Sequence, residues 1–192
     1  MMGIILAGGR SARLGRDKAT AHVLGKPLVQ WVYEALRDAG ATSVVVVAQP
    51  GQRLPGLSLE VRRLNDDRAA GADGPLVALE RGLRYASDAG EQVVVVAPCD
   101  VPALAAEDVR LAVSCLARDG GDAVFLSSGP KGPHPLLAAY HVAAAHESAM
   151  RCVARGDRAA RAILPSLRGG VLERSALRRP AATDACNTAE EV

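Results

Sequence analysis

The apolar run Gly3–Ala7 breaks off into two glycines, Gly8 and Gly9. The chain beyond them carries Arg10, Arg13, Arg16 and Lys18 within nine residues. Glycine has no Cβ, so the backbone there approaches a ligand closely and takes up positive φ. Successive backbone N–H groups then point at phosphate oxygens, and the cations match a polyanion. A strand that ends this way reads as the root of a triphosphate cradle. The competing reading is a glycine-rich turn with solvated basic residues, and the density of positive charge weighs against it. Two familiar phosphate loops are excluded. A Walker A loop needs G-x-x-x-x-G-K-[ST], whereas Gly15 is followed by Arg16, Asp17, Lys18 and Ala19. The dinucleotide fingerprint needs G-x-G-x-x-G, a spacing that Gly8-Gly9-Arg10 does not fit.

Beyond the loop, β-branched runs alternate with helical periodicity. The pattern predicts strands at Gly3–Ala7, Ser43–Ala48, Leu59–Leu64, Gln92–Ala97 and Ala123–Ser127. It predicts helices at Pro27–Asp38, Leu76–Ala86 and Ala105–Ala117. In the last third it suggests a strand at Leu136–Tyr140, a helix at Ala143–Val153, a short helix at Ala159–Leu164 ending before Pro165, and a final strand at Gly170–Glu173. Such alternation builds βαβ units, hence an α/β fold with a mainly parallel sheet and helices on both faces. Ligands of such sheets bind at the carboxyl ends of strands. The glycine loop follows the first strand there, and Asp100 follows the valine-rich strand before it, so two distant segments converge on one crevice. Asp100 has two readings on its own residues: a single carboxylate holding Mg²⁺ against substrate phosphates, or the cap of a helix beginning near Val101.

The chain has 192 residues, which the length prior fits to a single domain. A net charge of +2 and a 3% aromatic content argue against a nucleic-acid binder, which needs a basic stripe and stacking side chains. The basic cluster Arg174–Arg179 reads as a solvated loop or an acidic-ligand contact. Cys99, Cys115, Cys152 and Cys186 form no C-x-x-C pair, which points to free thiols in a reducing compartment; Cys99 beside Asp100 is a weak nucleophile candidate. The opening lacks a basic n-region, and no stretch approaches the roughly 18 apolar residues of a membrane helix. The expectation is a soluble cytoplasmic protein with no membrane partner.

The loop wording L-A-G-G-R-S-A-R-L-G-R-D-K resembles that of the molybdenum cofactor guanylyltransferases. Gly74-Pro75-Leu76 looks like that family's G-P-L segment and Pro98-Cys99-Asp100 like its P-C-D motif. His134-Pro135-Leu136 resembles a further segment, and Asn187-Thr188 its N-T-P element, with Ala189 in place of proline. The resemblance spans nearly the whole chain. It implies one Rossmann-like nucleotidyltransferase domain over residues 1–192. It implies transfer of GMP from Mg²⁺-bound GTP to the phosphate of molybdopterin or Mo-molybdopterin, with pyrophosphate released. It also implies contacts with other proteins of molybdenum cofactor biosynthesis or with acceptor proteins.

By the same resemblance, Leu6, Ala7, Gly8 and Gly9 form the nucleotide cradle, Arg13 and Lys18 hold the triphosphate, Asp67 helps select guanine and Asp100 holds the metal. Asp66 is the substitute for Asp67 if the loop carries an insertion, and a plain turn carboxylate pair remains the alternative for both. Asn187 is a candidate contact to metal or acceptor phosphate. His134 and His141 are available but not required as bases. The family's nucleotide-contacting asparagine after the second strand is missing: Val47 occupies its position, with Gln49 nearby. Rival functions are a cytidylyltransferase on the same acceptor, a sugar-phosphate nucleotidyltransferase, and a nucleotide-binding partner without turnover.

Overall fold

A computed structural model describes residues 1–8, 18–58, 61–65, 74–127 and 129–186, with Lys18 and Lys131 by their main chain only. In chain order the strands and α-helices are β1 (Met2–Leu6), β2 (His22–Val23), β3 (Lys26–Pro27), α1 (Leu28–Asp38), β4 (Ser43–Ala48), β5 (Arg62–Asn65), α2 (Pro75–Asp88), β6 (Val93–Pro98), α3 (Ala106–Asp119), β7 (Ala123–Ser127), β8 (Pro133–His141), α4 (Val142–Ala154) and β9 (Gly169–Leu172).

Seven strands make one sheet in the order β5-β4-β1-β6-β8-β7-β9. The β4–β5, β1–β4, β1–β6 and β7–β9 pairs are parallel, and β8 runs antiparallel to both neighbours. The short connection from β7 to β8 explains the reversal. A parallel return needs a crossover of a dozen or more residues, and here Ser127 and Pro133 are separated by five.

The valine runs work because alternate residues face opposite layers. Ile5, Val44, Val46, Val95 and Ala97 pack against Val32, Leu36, Val109 and Leu116 of α1 and α3. Ile4, Leu6, Val45, Val47, Val94 and Val96 pack against Leu79, Leu83, Ala145 and Ala149 of α2 and α4. The core is therefore mainly aliphatic on both faces, as a sequence poor in aromatics requires, with Phe125 and Tyr140 as the aromatic members of the second layer. Each fully buried Leu or Ile in it contributes about 1.5–3 kcal/mol. Gly82 lets α2 settle on β1: a Cβ there would lie 2.7 Å from Cγ2 of Ile4.

Three features depart from the sequence-based expectation. Strands β2 and β3 form a hairpin too short for any periodicity to show, turning through Leu24 and Gly25 with φ of 51° and 77°. Two positive φ values match the right-handed twist of hairpin strands. The segment expected as a helix ending before Pro165 is a 3₁₀ stretch, Ala160–Ser166, that runs through that proline. Its i→i+3 bonding leaves Pro165 no α-helical ladder to break. Finally, β8 begins at Pro133, three residues before the expected start, and the β7–β8 register shifts between Phe125 and Leu126. Ala138 faces Phe125 while His134 faces Leu126, so residues 135–137 bulge out of the ladder. The Tyr140 hydroxyl donates to the Pro135 carbonyl across this bulge. Among the described residues no helix is long and apolar enough to cross a membrane.

Candidate active site

The crevice lies at the carboxyl end of β1, where the strand order turns from β4 on one side to β6 on the other. Such a reversal opens a gap because successive connections leave in opposite directions. Two main-chain bonds define it. Ala7 N–H donates to the Val47 carbonyl at 2.8 Å, and Cys99 N–H donates to the Leu6 carbonyl at 3.1 Å. Leu6, Ala7 and Gly8 are thus held between the tips of β4 and β6, with Asp100 one residue past the second bond.

Asp100 is 9% exposed, between the buried Cys99 and Val101. Helix α3 begins at Ala106 with Ala105 as its N-cap, so Asp100 does not cap it; that alternative is removed. The Cys99 side chain belongs to the apolar cluster with Ala7, Val101 and Val109, which removes the nucleophile reading as well. Ala19 packs into the same cluster. The main chain at Lys18, which opens the 3₁₀ turn Lys18–Thr20, is therefore anchored to the layer of the core that α1 and α3 cover, and the turn packs against α1. Gly9, Arg13, Asp66, Asp67 and Asn187 lie outside the described residues.

The β4 side of the crevice is tied by a residue the sequence reading passed over. Gln52 Nε2 donates to the Ala7 carbonyl at 2.9 Å, and Gln52 Oε1 accepts from Gln49 N–H at 2.9 Å. Arg63 closes the turn by donating to the carbonyls of Gln49, at 2.9 Å, and Gln52. Val47 points into the core and is fully buried, so its side chain cannot replace the missing asparagine. An amide four residues past a strand, closing a Pro-Gly turn, was the available signal for Gln52.

The opposite side opens into a cavity of about 890 Å³, walled by Pro75, Pro102, His134, Pro135, Arg161 and Thr183 among others. The bulge in β8 is what swings Pro135 and Leu136 into this wall. Pro75 arrives through Gly74, whose φ of +144° suits glycine, and a Cβ there would lie 2.6 Å from the Arg158 carbonyl oxygen. Of the two candidate histidines, His134 borders the cavity, whereas His141 pairs with Val93 at the far, amino end of β6.

The basic cluster is not a plain solvated loop. Leu177 is buried, and Arg178 N–H donates to Asp108 Oδ1 at 2.6 Å. Arg174 donates to the Pro180 carbonyl and to Asp184 Oδ2, each at 2.8 Å. Cys186 N–H then donates to the Asp100 carbonyl at 2.8 Å. Residues 174–186 form a strap that carries the chain back across the carboxyl end of the sheet. Among the described residues no three His, Cys, Asp or Glu side chains cluster as metal ligands.

The family profile of the MobA-like NTP transferase domain matches residues 3–171. The chain belongs to that family. A probable molybdenum cofactor guanylyltransferase of Opitutus terrae is 36% identical to this MobA-like chain over 172 residues, covering 87% of it and 79% of the relative. The Mycobacterium avium protein of the same name is 36% identical over 169 residues, covering 85% and 80%. Among solved structures, molybdopterin-guanine dinucleotide biosynthesis protein A of Archaeoglobus fulgidus superposes with a TM-score of 0.78 at 23% identity, covering all of this chain and 94% of that one. A 2-C-methyl-D-erythritol 4-phosphate cytidylyltransferase of Thermus thermophilus superposes with a TM-score of 0.68 at 17% identity, covering 98% and 94%. The two superpositions establish a shared MobA-like nucleotidyltransferase fold.

Proposed function

We propose that this chain is a molybdenum cofactor guanylyltransferase, transferring GMP from GTP to the phosphate of molybdopterin or its molybdenum-loaded form. The observation that carries the reading is sequence identity of 36% to proteins of that name over most of the chain. Supporting it, the glycine-loop root and the P-C-D tip meet at the Leu6–Cys99 bond. In this reading Leu6, Ala7, Gly8 and Gly9 cradle the nucleotide, Arg13 and Lys18 neutralise the triphosphate, and Asp67 accepts hydrogen bonds from guanine. The four buried thiols fit a protein that works in the reducing cytoplasm.

The chemistry needs little from the protein beyond position and charge. The acceptor is a phosphate monoester with a second pKa of about 6, so it is already largely deprotonated at neutral pH. One of its oxygens attacks the α-phosphorus in line. The bond from that phosphorus to the α–β bridging oxygen breaks, and pyrophosphate leaves with the electron pair. No general base is required. Arg13 and Lys18 offset the charge that grows on the α-phosphate and the leaving group.

The donor set suits Mg²⁺, which takes one or two carboxylates and fills its remaining positions with phosphate oxygens and water; Asp100 supplies the carboxylate. When bound there, the ion would supply positive charge that offsets the charge growing on the leaving pyrophosphate.

The test is pyrophosphate release with each of the four nucleoside triphosphates, with and without molybdopterin. GTP is expected to support release only when molybdopterin is present, and to raise the melting temperature more than CTP, with a Mg²⁺-dependent increment. A preference for CTP would make the chain a cytidylyltransferase. Nucleotide binding without release under any condition would make it a binding partner.

A further inference from the structure

Thr183 is 4% exposed, and its Oγ1 has no hydrogen-bond partner among the described residues. The same residue forms part of the wall of the 890 Å³ cavity. Buried hydroxyls are normally satisfied, and an orphaned one needs a reason. A core position would be better served by valine, which has the same shape and no polar atom to desolvate.

The turn that carries Thr183 is not loose. Arg174 clasps both of its flanks, at the Pro180 carbonyl and the Asp184 carboxylate. Three residues later the Cys186–Asp100 main-chain bond fastens the strap to the end of β6. The hydroxyl is therefore held in place beside the cavity. Rotation about χ1 moves a threonine hydroxyl between staggered wells without moving the main chain, so the strap can stay fixed while the hydroxyl turns to a ligand.

Most of this wall offers flat, apolar surface: Pro75, Pro102, Ala103, Pro135, Leu136 and Ala160. A cavity of this composition suits a ring system, with a few polar groups fixing its orientation. The nucleotide cradle at Leu6–Gly8 lies at the β1 tip and supplies none of the wall. The cavity is left for the second substrate.

We propose that Thr183 is a contact residue for the acceptor, its hydroxyl exchanging a hydrogen bond with a polar edge of a heterocyclic phosphate ester seated in this cavity. The proposal rests on the guanylyltransferase reading for the identity of that ester. It adds that the strap, and Thr183 on it, sets acceptor affinity without touching the nucleotide.

The test compares Thr183→Val and Thr183→Ser with the parent protein, using Mg²⁺, GTP and molybdopterin. Thr183→Val is expected to raise the KM for molybdopterin about three- to tenfold, the range for one neutral hydrogen bond. The KM for GTP and the GTP-induced melting shift are expected to stay unchanged. The same variant should melt at an equal or higher temperature without ligands, because a sealed, unpaired hydroxyl has been removed. Thr183→Ser is expected to restore the acceptor KM. A lowered melting temperature in Thr183→Val that Thr183→Ser restores, with the acceptor KM of both at the parent value, would make the hydroxyl structural and overturn the proposal. An unchanged acceptor KM in a stable Thr183→Val would also overturn it. Absence of turnover in the parent protein would defeat the guanylyltransferase reading instead. In that case direct binding of molybdopterin to the parent and Thr183→Val proteins decides the proposal: equal affinities overturn it, and weaker binding by the variant upholds it.

Discussion

The Asp100 carbonyl accepts the main-chain N–H of Cys186 at 2.8 Å, so a residue from the far end of the chain is stitched to the residue that the crevice presents after β6. The bond uses main-chain atoms on both sides. It therefore survives any change to the Asp100 side chain, which separates the chemistry of the carboxylate from the integrity of the strap.

Asp100→Asn follows from that separation. The substitution keeps size and the carbonyl bond but removes the negative charge. Molybdopterin-dependent pyrophosphate release is expected to fall by about 10²-fold or more, with the melting temperature within a few degrees of the parent. Release at the parental rate would take Asp100 out of the catalytic set.

Gly82→Ala sets two effects against each other. Alanine in a helix interior gains about 1 kcal/mol over glycine. The new methyl would lie 2.7 Å from Cγ2 of Ile4, which is fully buried and cannot retreat. Overpacking of this kind costs about 1–3 kcal/mol, so the clash wins. Urea unfolding should show a lower midpoint with an unchanged slope, and a raised midpoint would mean that α2 shifts freely over β1.

Asp122 gives an acid-stability prediction. The Arg168 guanidinium, followed by the Arg168 backbone N–H, holds its carboxyl below the usual carboxylate range. The unfolded chain then binds the proton more readily than the folded one. The contribution is complete above the ordinary pKa of about 3.9 and is lost as pH falls through the folded value. Asp122→Asn should therefore melt lower than the parent at pH 7, with the gap narrowing as pH approaches 3. A gap that stays constant across that range would assign the effect to something other than this ionisation.

Tyr140 is fully buried, stacks edge-on against Phe125 with centroids 5.8 Å apart, and donates to Pro135. Burial pushes its phenol far above the ordinary tyrosine range. In an alkaline spectrophotometric titration one of the three tyrosines is expected to ionise only as the protein unfolds. Tyr140→Phe should remove that late step and cost about 1 kcal/mol, because it frees the carbonyl that shapes the bulge.

Much of this architecture could be read from the chain before any coordinates. The strand at Ser43–Ala48 and the strand at Ala123–Ser127 fall where the β-branched runs are, because buried strands in an α/β sheet leave an uninterrupted aliphatic signature. The convergence of Leu6 and Asp100 was legible too, since strand tips that follow alternating helices share one edge. What the sequence hid depends on contacts between distant residues. Gln52 looks like any polar turn residue until the Ala7 carbonyl is placed beside it. The strap looks like solvated arginines until Leu177 and Asp108 are seen to anchor it. The bulge that turns Pro135 into a wall leaves no local mark, because it is fixed by the Tyr140 hydroxyl from within the same strand. The cradle residues Gly9 and Arg13, and Asp67, stand on the family resemblance.

The order in which these walls are made has a consequence for biogenesis. A ribosome delivers β1, the glycines and Asp100 while the strap is still untranslated. The side of the crevice built on the β1 and β6 tips can assemble on the nascent polypeptide, but the cavity beside it lacks the strap's share of its lining until Cys186 emerges. Truncations that stop short of the strap should therefore behave as half-sites, competent for one substrate and blind to the other.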